Sequence, residues 1–369
     1  MSFHRHGLVI GKFYPPHAGH HALIRAAAAG CEQVTVLAMA AKQESVPLDS
    51  RVRWLRETHA GERNVTVVGI PCDAPMDLGD PSVWAAQVAL MRAALEHHRR
   101  GAVDALYSSE PYGDELARRL DAEHVCVDLA RQGVPISAGR IRADLAAHWD
   151  LLAPATRAGL AARVVLLGSE STGTTTVSQR LVERYRARGG VWARTGWVAE
   201  YGRAYTATRL EAARAQARAA GQPEPRLEDL VWDASDFDQI AHAQTSLEQQ
   251  AAREGSPLLV CDTDAFATHV WERRYLEGRA RPPQAWAREL PPRDVYLLTS
   301  HEGVPFVQDG LRDGEHIRAQ MTDWFIEALT AAGHSWVLLT GTVDQRVQLA
   351  ERCCEIALAN RARFTEPLG

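Results

Sequence analysis

The chain has 369 residues, 46% of them hydrophobic and 24% charged, which is ordinary globular composition with enough length for two domains. A net charge of −5 argues against a general nucleic-acid binder, and no apolar run approaches the ~20 residues of a membrane span, so neither nucleic acid nor membrane is expected as a partner. The opening residues MSFHRHGLVIGKF lack the apolar stretch of a secretion signal, which makes the cytoplasm the expected location. The six cysteines form no C-x-x-C pair, so a zinc or redox motif is not expected. Lys12 and Lys42 are the only lysines, and all other fixed positive charge is arginine.

Short apolar runs alternate with helical patterns, the mark of an α/β protein with parallel sheets. Strands are predicted at His6–Lys12, Gln33–Met39, Asn64–Gly69, Asp104–Ser108 and His124–Val127. Helices are predicted at Gly19–Gly30, Asp49–His59, Pro81–Arg99 and Gly113–Leu120, with shorter ones at Ala138–Leu145 and Ala147–Leu152. Pro154 and Gly159 then favour a break, which divides the chain into domains 1–158 and 159–369. The second pattern has strands at Arg163–Leu167, Thr195–Ala199, Leu258–Cys261, Asp294–Leu298 and Ser335–Leu339. Its long helices are predicted at Gly173–Arg186, Asp233–Ala252, Gly314–Ala332 and Val343–Asn360. The Leu210–Ala220 segment reads as a solvated helix face. No internal repeat is present.

The strongest signal lies in LVIGKFYPPHAGHHALI. An apolar strand ends at Gly11, Lys12 and Phe13 lead into a Pro15-Pro16 turn, and His17-Ala18-Gly19-His20 opens a helix. Backbone N–H groups and the positive end of the helix dipole then stand beside two imidazoles that share a face. Such a site suits a nucleotide phosphate, because fixed donors stabilise the charge that grows when the phosphorus is attacked.

This segment resembles the HxGH nucleotidyltransferases, whose Rossmann-like parallel sheet the resemblance implies for the first domain. Ile136-Ser137-Ala138-Gly139-Arg140-Ile141-Arg142 is similar to the second motif of that family, with Gly139 where relatives have Thr. The resemblance implies that Ser137 and Arg142 face the triphosphate of ATP. His at position 17, rather than Thr, and the loop Ser108-Ser109-Glu110-Pro111-Tyr112-Gly113 are similar to the nicotinamide-mononucleotide adenylyltransferases. Trp84 is a candidate to stack on a cationic nicotinamide ring, or else a core residue. Arg51 and Arg53 are further acceptor-binding candidates.

The second signal is VVLLGSESTGTTTVSQRLV, in which Gly168-Ser169-Glu170-Ser171-Thr172-Gly173 has phosphate-loop spacing. Thr175 stands where a Mg²⁺-binding hydroxyl lies, with Thr176 beside it, but Thr174 occupies the lysine position. Loss of one such donor costs about 3–4 kcal/mol of transition-state stabilisation. Since the second domain has no lysine, its replacement must be an arginine, with Arg203, Arg312 and Arg318 as candidates. LLVCDTD ends a strand on Asp262, placed for Mg²⁺, and on Asp264. Asp309-Gly310-Leu311-Arg312 reads as a mobile lid, and Gly341-Thr342-Val343 as an adenine-contacting turn.

Glu200-Tyr201-Gly202-Arg203, Asp262-Thr263-Asp264 and Asp309-Gly310-Leu311-Arg312, in this order, resemble the P-loop ribosylnicotinamide kinase domain of NadR-type bifunctional proteins. The resemblance implies Glu200 or Asp264 near the riboside hydroxyl, with Glu200 favoured as base and Tyr201 and Arg203 at the substrate. It also implies a cytoplasmic enzyme of NAD salvage that uses ATP and Mg²⁺, nicotinamide mononucleotide and nicotinamide riboside. The first strand begins almost at Met1, so the DNA-binding segment of some relatives is not expected. A homo-oligomer is compatible with the sequence, which does not fix a copy number. Two rival readings are an adenylyltransferase whose second domain only senses nucleotide, and a fusion resembling coenzyme A synthase.

Overall fold

The computed structural model describes residues 3–75, 77–130, 132–276, 280–281 and 290–368. Its first five strands are β1 His4–Gly11, β2 Cys31–Ala40, β3 Val65–Pro71, β4 Ala105–Ser108 and β5 Glu123–Cys126. All pair in parallel, in the order β3-β2-β1-β4-β5. Between them run α1 Ala18–Gly30, α2 Leu48–Thr58, α3 Pro81–His97 and α4 Gly113–Leu120, followed by α5 Ala138–Ala143 and α6 Pro154–Leu160.

The strands are apolar on both faces, as helices on both sides require. Leu8, Leu37 and Leu106 pack with Trp84, Met91, Leu95 and Leu116 on one side. Their neighbours Val9, Val36 and Ala105 pack with Ile24, Val52 and Leu55 on the other. Local caps set the helix starts. Asp80 accepts from the Ser82 N–H at 2.7 Å ahead of Pro81 at the first helical position, and Ser137 caps α5 through the Arg140 N–H.

The second sheet holds β6 Ala162–Leu167, β7 Gly196–Val198, β8 Leu258–Asp262, β9 Val295–Thr299 and β10 Trp336–Leu339, again all parallel, in the order β10-β9-β6-β8-β7. Its helices are α7 Thr174–Arg186, α8 Tyr201–Ala219, α9 Ala234–Glu254, α10 Ala265–Leu276, α11 Arg318–Ala331 and α12 Val343–Arg361 among the described residues. Val164 and Leu166 pack against Val177 and Leu181 of α7 and Val347, Ala350 and Cys354 of α12.

Several elements differ from expectation. The expected break around Pro154 and Gly159 is helix α6, because Pro154 takes the first helical position that proline favours. Gly159 lets α6 lie against α2, since a Cβ there would come within 2.2 Å of the Trp54 ring. The predicted helix at 147–152 is one turn, Trp149–Leu151, and the one at 314–332 becomes regular only from Arg318. Helix α10 and the first half of α8 had no counterpart in the sequence reading.

Contacts divide the chain into two compact units, Met1–Leu160 with Ala362–Gly369, and Ala161–Arg361. The sequence reading divided the chain after 158 and ran the second domain to 369. The final segment instead packs with the first unit, through contacts to residues more than 300 positions away.

Candidate active sites

The first site lies beyond the C-terminal ends of β1 and β4, where the strand order reverses and ligands of open parallel sheets bind. His17 is the extended N-cap residue of α1 (φ −144°, ψ 174°). Its ring stacks on that of His20 with centroids 3.7 Å apart, and its backbone N–H donates to His20 Nδ1 at 3.3 Å. Gly19 makes room for this pair, because a Cβ there would sit 3.2 Å from the His17 ring. Phe13, in left-handed backbone (φ 48°), places its ring edge on His20 at 4.9 Å.

Arg142, on α5, donates from Nη1 to the Tyr14 carbonyl at 2.8 Å and lies over the Tyr14 ring. His17, His20, Gly11, Lys12, Phe13, Ser137 and Arg142 thus line one cavity of about 330 Å³. Lys12 is 3.3 Å from the buried Glu44. Ser108 at the end of β4 shares the cavity wall, and its Oγ lies 2.8 Å from His124 Nε2, whose Nδ1 lies 2.6 Å from Asp114. That relay holds the Ser108–Gly113 loop in place.

Trp84 is a core residue that also borders a narrow apolar cavity of about 90 Å³, with Ile10, Lys12 and Tyr112. Its indole N–H donates to the Leu78 carbonyl at 3.0 Å. Arg51 is not available to an acceptor. It is fully buried and donates to Glu44 at 2.7 Å and to the Val46 and Lys12 carbonyls, so its work is to hold the loops together. Arg53 is exposed on the outer face of α2.

The second site is built on the loop between β6 and α7. Ser171 (φ 59°) and Gly173 (φ 89°) take left-handed backbone, the conformation that turns successive N–H groups into an anion-binding nest. Thr175 donates to Asp262 at 2.5 Å. Burial pushes the Asp262 carboxyl up, against the pull of the Thr175 and Thr174 hydroxyls and Arg203. A hydroxyl and a carboxylate from these two elements are the protein oxygens Mg²⁺ takes beside a nucleotide, so the pair fits that ion. Among the described residues no group of three or more His, Cys, Asp or Glu could hold a metal by itself.

The adjoining cavity, about 500 Å³, is lined by Gly168, Thr174, Thr175, Thr176, Glu200, Arg203, Asp262 and Arg312. Burial raises the Glu200 carboxyl to about 7, with Asp262 adding to the effect. Asp309 pairs with Arg203 at 2.5 Å and with Arg312 at 3.3 Å. P-loop Glu170 accepts from the Gly314 N–H at 2.6 Å and pairs with Arg274 at 3.2 Å, which ties the segment before α11 to the loop.

Asp264 also lines this cavity, with both of its carboxylate oxygens engaged by the protein. Its Oδ1 caps α10 through the Ala267 N–H at 3.0 Å, while its Oδ2 accepts from Arg293 and the Tyr296 hydroxyl, each at 2.9 Å. Two residues depart from expectation. Tyr201 opens α8 with its ring beside Tyr205 and does not line the cavity. Arg318 donates to the Val304 and Ser171 carbonyls and so braces the P-loop backbone rather than facing phosphate. The Gly341 turn is tied to the P-loop by Arg346, which donates to the Gly341 and Thr172 carbonyls. The sequence reading also missed an aromatic wall of Trp232, Phe237, Trp271 and Tyr275. Trp271 and Tyr275 are four apart on α10, a spacing that would have signalled them had that helix been recognised.

The AAA domain family model matches residues 163–346. The "Trifunctional NAD biosynthesis/regulator protein NadR" of Escherichia coli (strain K12) is 26% identical over 324 residues, covering 83% of this chain and 71% of that protein. The protein of the same description from Salmonella typhimurium is also 26% identical, over 326 residues, with the same coverage. Among solved structures, NadR in complex with NAD and AMP-PNP superposes with a TM-score of 0.62 at 21% identity, over 100% of this chain and 99% of that one. NadR in complex with NR gives 0.62 at 21% identity, over 97% of each chain. With two α/β domains in this order and a sequence match that runs through both, the chain is a homologue of the NadR proteins.

Proposed function

We propose that the chain is a bifunctional enzyme of NAD salvage: the second domain phosphorylates nicotinamide riboside and the first joins the resulting mononucleotide to AMP from ATP. The observation that carries this reading is the homology to NadR across both domains, each of which has a strand–loop–helix turn and a cavity at the end of its central strand.

In the first domain a phosphate oxygen of nicotinamide mononucleotide attacks the α-phosphorus of ATP, and pyrophosphate leaves. The acceptor is already a nucleophile, so the protein positions it and stabilises charge. His17, His20 and Arg142 meet the growing negative charge, and Lys12, Ser137 and the α1 N-terminus hold the triphosphate. Trp84 closes the nicotinamide side.

In the second domain Glu200, half-buried beside Asp262, takes the proton of the riboside hydroxyl as the hydroxyl oxygen attacks the γ-phosphorus, the bond to the β-phosphate breaks and ADP leaves. Thr175 and Asp262 would hold Mg²⁺, which would supply positive charge to stabilise the phosphate oxygens. Arg203 and Arg312 stand in for the P-loop lysine that Thr174 replaces. The aromatic wall of Trp232, Phe237, Trp271 and Tyr275 takes the flat base. We place the enzyme in the cytoplasm; no described helix is long and apolar enough to cross a membrane.

Purified protein with ATP and Mg²⁺, given the riboside or the mononucleotide separately, tests the whole reading. NAD from both is expected. NAD from the mononucleotide alone would leave the first domain's role standing and make the second a nucleotide sensor, the reading that Thr174 favours. NAD from neither would overturn the proposal.

A further inference from the structure

The first unit includes a segment that arrives only after the second unit is complete. Residues 362–368 follow α12, yet they bind on the catalytic loop of the first domain. Ordering surface backbone costs about 1–2 kcal/mol per residue, so such a segment needs specific partners to be held.

Its partners are concentrated on that loop. The Thr365 hydroxyl donates to the Gln43 carbonyl at 2.8 Å and accepts from the Ser45 N–H at 2.9 Å. The Tyr14 hydroxyl donates to the Thr365 carbonyl at 3.0 Å. The Phe364 ring meets the buried Tyr14 ring edge-on at 5.5 Å. Lys12 donates from Nζ to the Leu368 carbonyl. Pro367 lines the cavity that holds His17 and Arg142, and Leu368 lines the apolar cavity that holds Trp84.

Tyr14 is the platform under Arg142, whose guanidinium lies 5.1 Å above its ring and donates to its carbonyl. Lys12 has three N–H donors. The Leu368 carbonyl takes one, and Glu44 pairs with the ammonium electrostatically at 3.3 Å, which leaves N–H donors for a phosphate. A carbonyl fixes an ammonium without cancelling its charge. Glu44 is shared with Arg51, so the two cations keep a net positive charge at the cavity rim. The segment therefore aims Lys12 and steadies the floor beneath Arg142.

We propose that residues 364–368 are a positioning strap of the adenylyltransferase site, with the Thr365 hydroxyl as the clamp and the Leu368 carbonyl as the guide for Lys12. The inference rests on the adenylyl-transfer reading of the first domain. NAD formation from the mononucleotide by the unaltered chain checks that reading separately.

The experiment compares three variants of the full chain: deletion of residues 362–369, Thr365→Ala and Thr365→Ser. Each is assayed for NAD formation from the mononucleotide and for phosphorylation of the riboside. The deletion is expected to lower kcat for NAD formation at least tenfold and to leave riboside phosphorylation unchanged. Thr365→Ala is expected to lower kcat three- to tenfold, and Thr365→Ser, which keeps the hydroxyl, to restore it. Should the deletion variant fold poorly, the Thr365 pair decides alone. If the unaltered chain makes NAD and the deletion variant makes it as fast or faster, the strap is idle or obstructive and the inference fails. Serine no better than alanine, or both equal to the unaltered chain, would also overturn it, since a merely structural tie would shift the melting temperature and leave kcat alone.

Discussion

Thr175 donates to Asp262 over 2.5 Å, joining the first turn of α7 to the end of β8, 87 residues away. With the carboxylate buried, the two oxygens proposed to hold Mg²⁺ are held side by side by the protein itself. Asp262→Asn removes the charge and keeps the shape. Riboside phosphorylation is expected to fall on the order of a hundred-fold or more, with NAD formation from the mononucleotide unchanged. Raising Mg²⁺ should recover part of the loss. Equal loss in both reactions would show that the substitution acts on folding instead.

Glu200 carries the sharpest pH signature. Burial and the neighbouring Asp262 lift its carboxyl to about 7, so below that pH it holds a proton and cannot accept another. The kcat/KM for riboside phosphorylation should rise with pH through about 7 and level off above it. Glu200→Gln is expected to lower kcat by roughly 10²–10⁴ and to flatten the rise. A rise that persists in the glutamine variant would assign the titration to another group.

Asp309 pairs with both Arg203 and Arg312, an ion-pair cluster for which a γ-phosphate would compete. Arg312→Ala and Arg203→Ala are each expected to cost about ten- to a hundred-fold in kinase kcat/KM. The discriminating variant is Thr174→Lys, which restores the usual P-loop cation. If the arginines do the work of that lysine, Thr174→Lys should recover most of the loss in Arg312→Ala but add little to the unaltered chain. Additive effects in this double-mutant cycle would mean that the two positions act independently.

The two strand–loop–helix turns of the candidate sites were legible in the sequence because each is a continuous pattern within about 20 residues. Cavity walls were not, because their members meet only through topology. Trp232 precedes α9, Phe237 lies on it, and Trp271 and Tyr275 come from α10. The partners of buried charges were hidden for the same reason. Asp264 follows Asp262 closely and lines the same cavity, yet its partners Arg293 and Tyr296 lie about 30 residues further on. Arg318 looked free until the Ser171 carbonyl, 147 positions away, took its guanidinium. Nothing local in the residues after α12 indicated that they bind beside Lys12.

His21 and His59 make a last prediction, about stability and not activity. Their rings meet inside the first domain with His21 Nδ1 2.9 Å from His59 Nε2, a bond that needs one donor and one acceptor. Burial, with His59 opposite, lowers His21 to about 3, and burial lowers His59 as well. An unfolded chain protonates histidine near 6.5, so between that pH and about 3 the unfolded state binds more protons than the folded one. Stability therefore falls as pH drops below about 6.5, by up to about 1.4 kcal/mol per pH unit for each histidine kept neutral. Urea melts of the first domain's transition at pH 7.5, 6.5 and 5.5 should show little change over the first step and a clear loss over the second. His21→Gln, which keeps a hydrogen-bonding side chain but cannot titrate, should reduce the slope between pH 6.5 and 5.5. An unchanged slope would assign the acid sensitivity to the other buried histidines, of which His6 in the same domain is also lowered by burial.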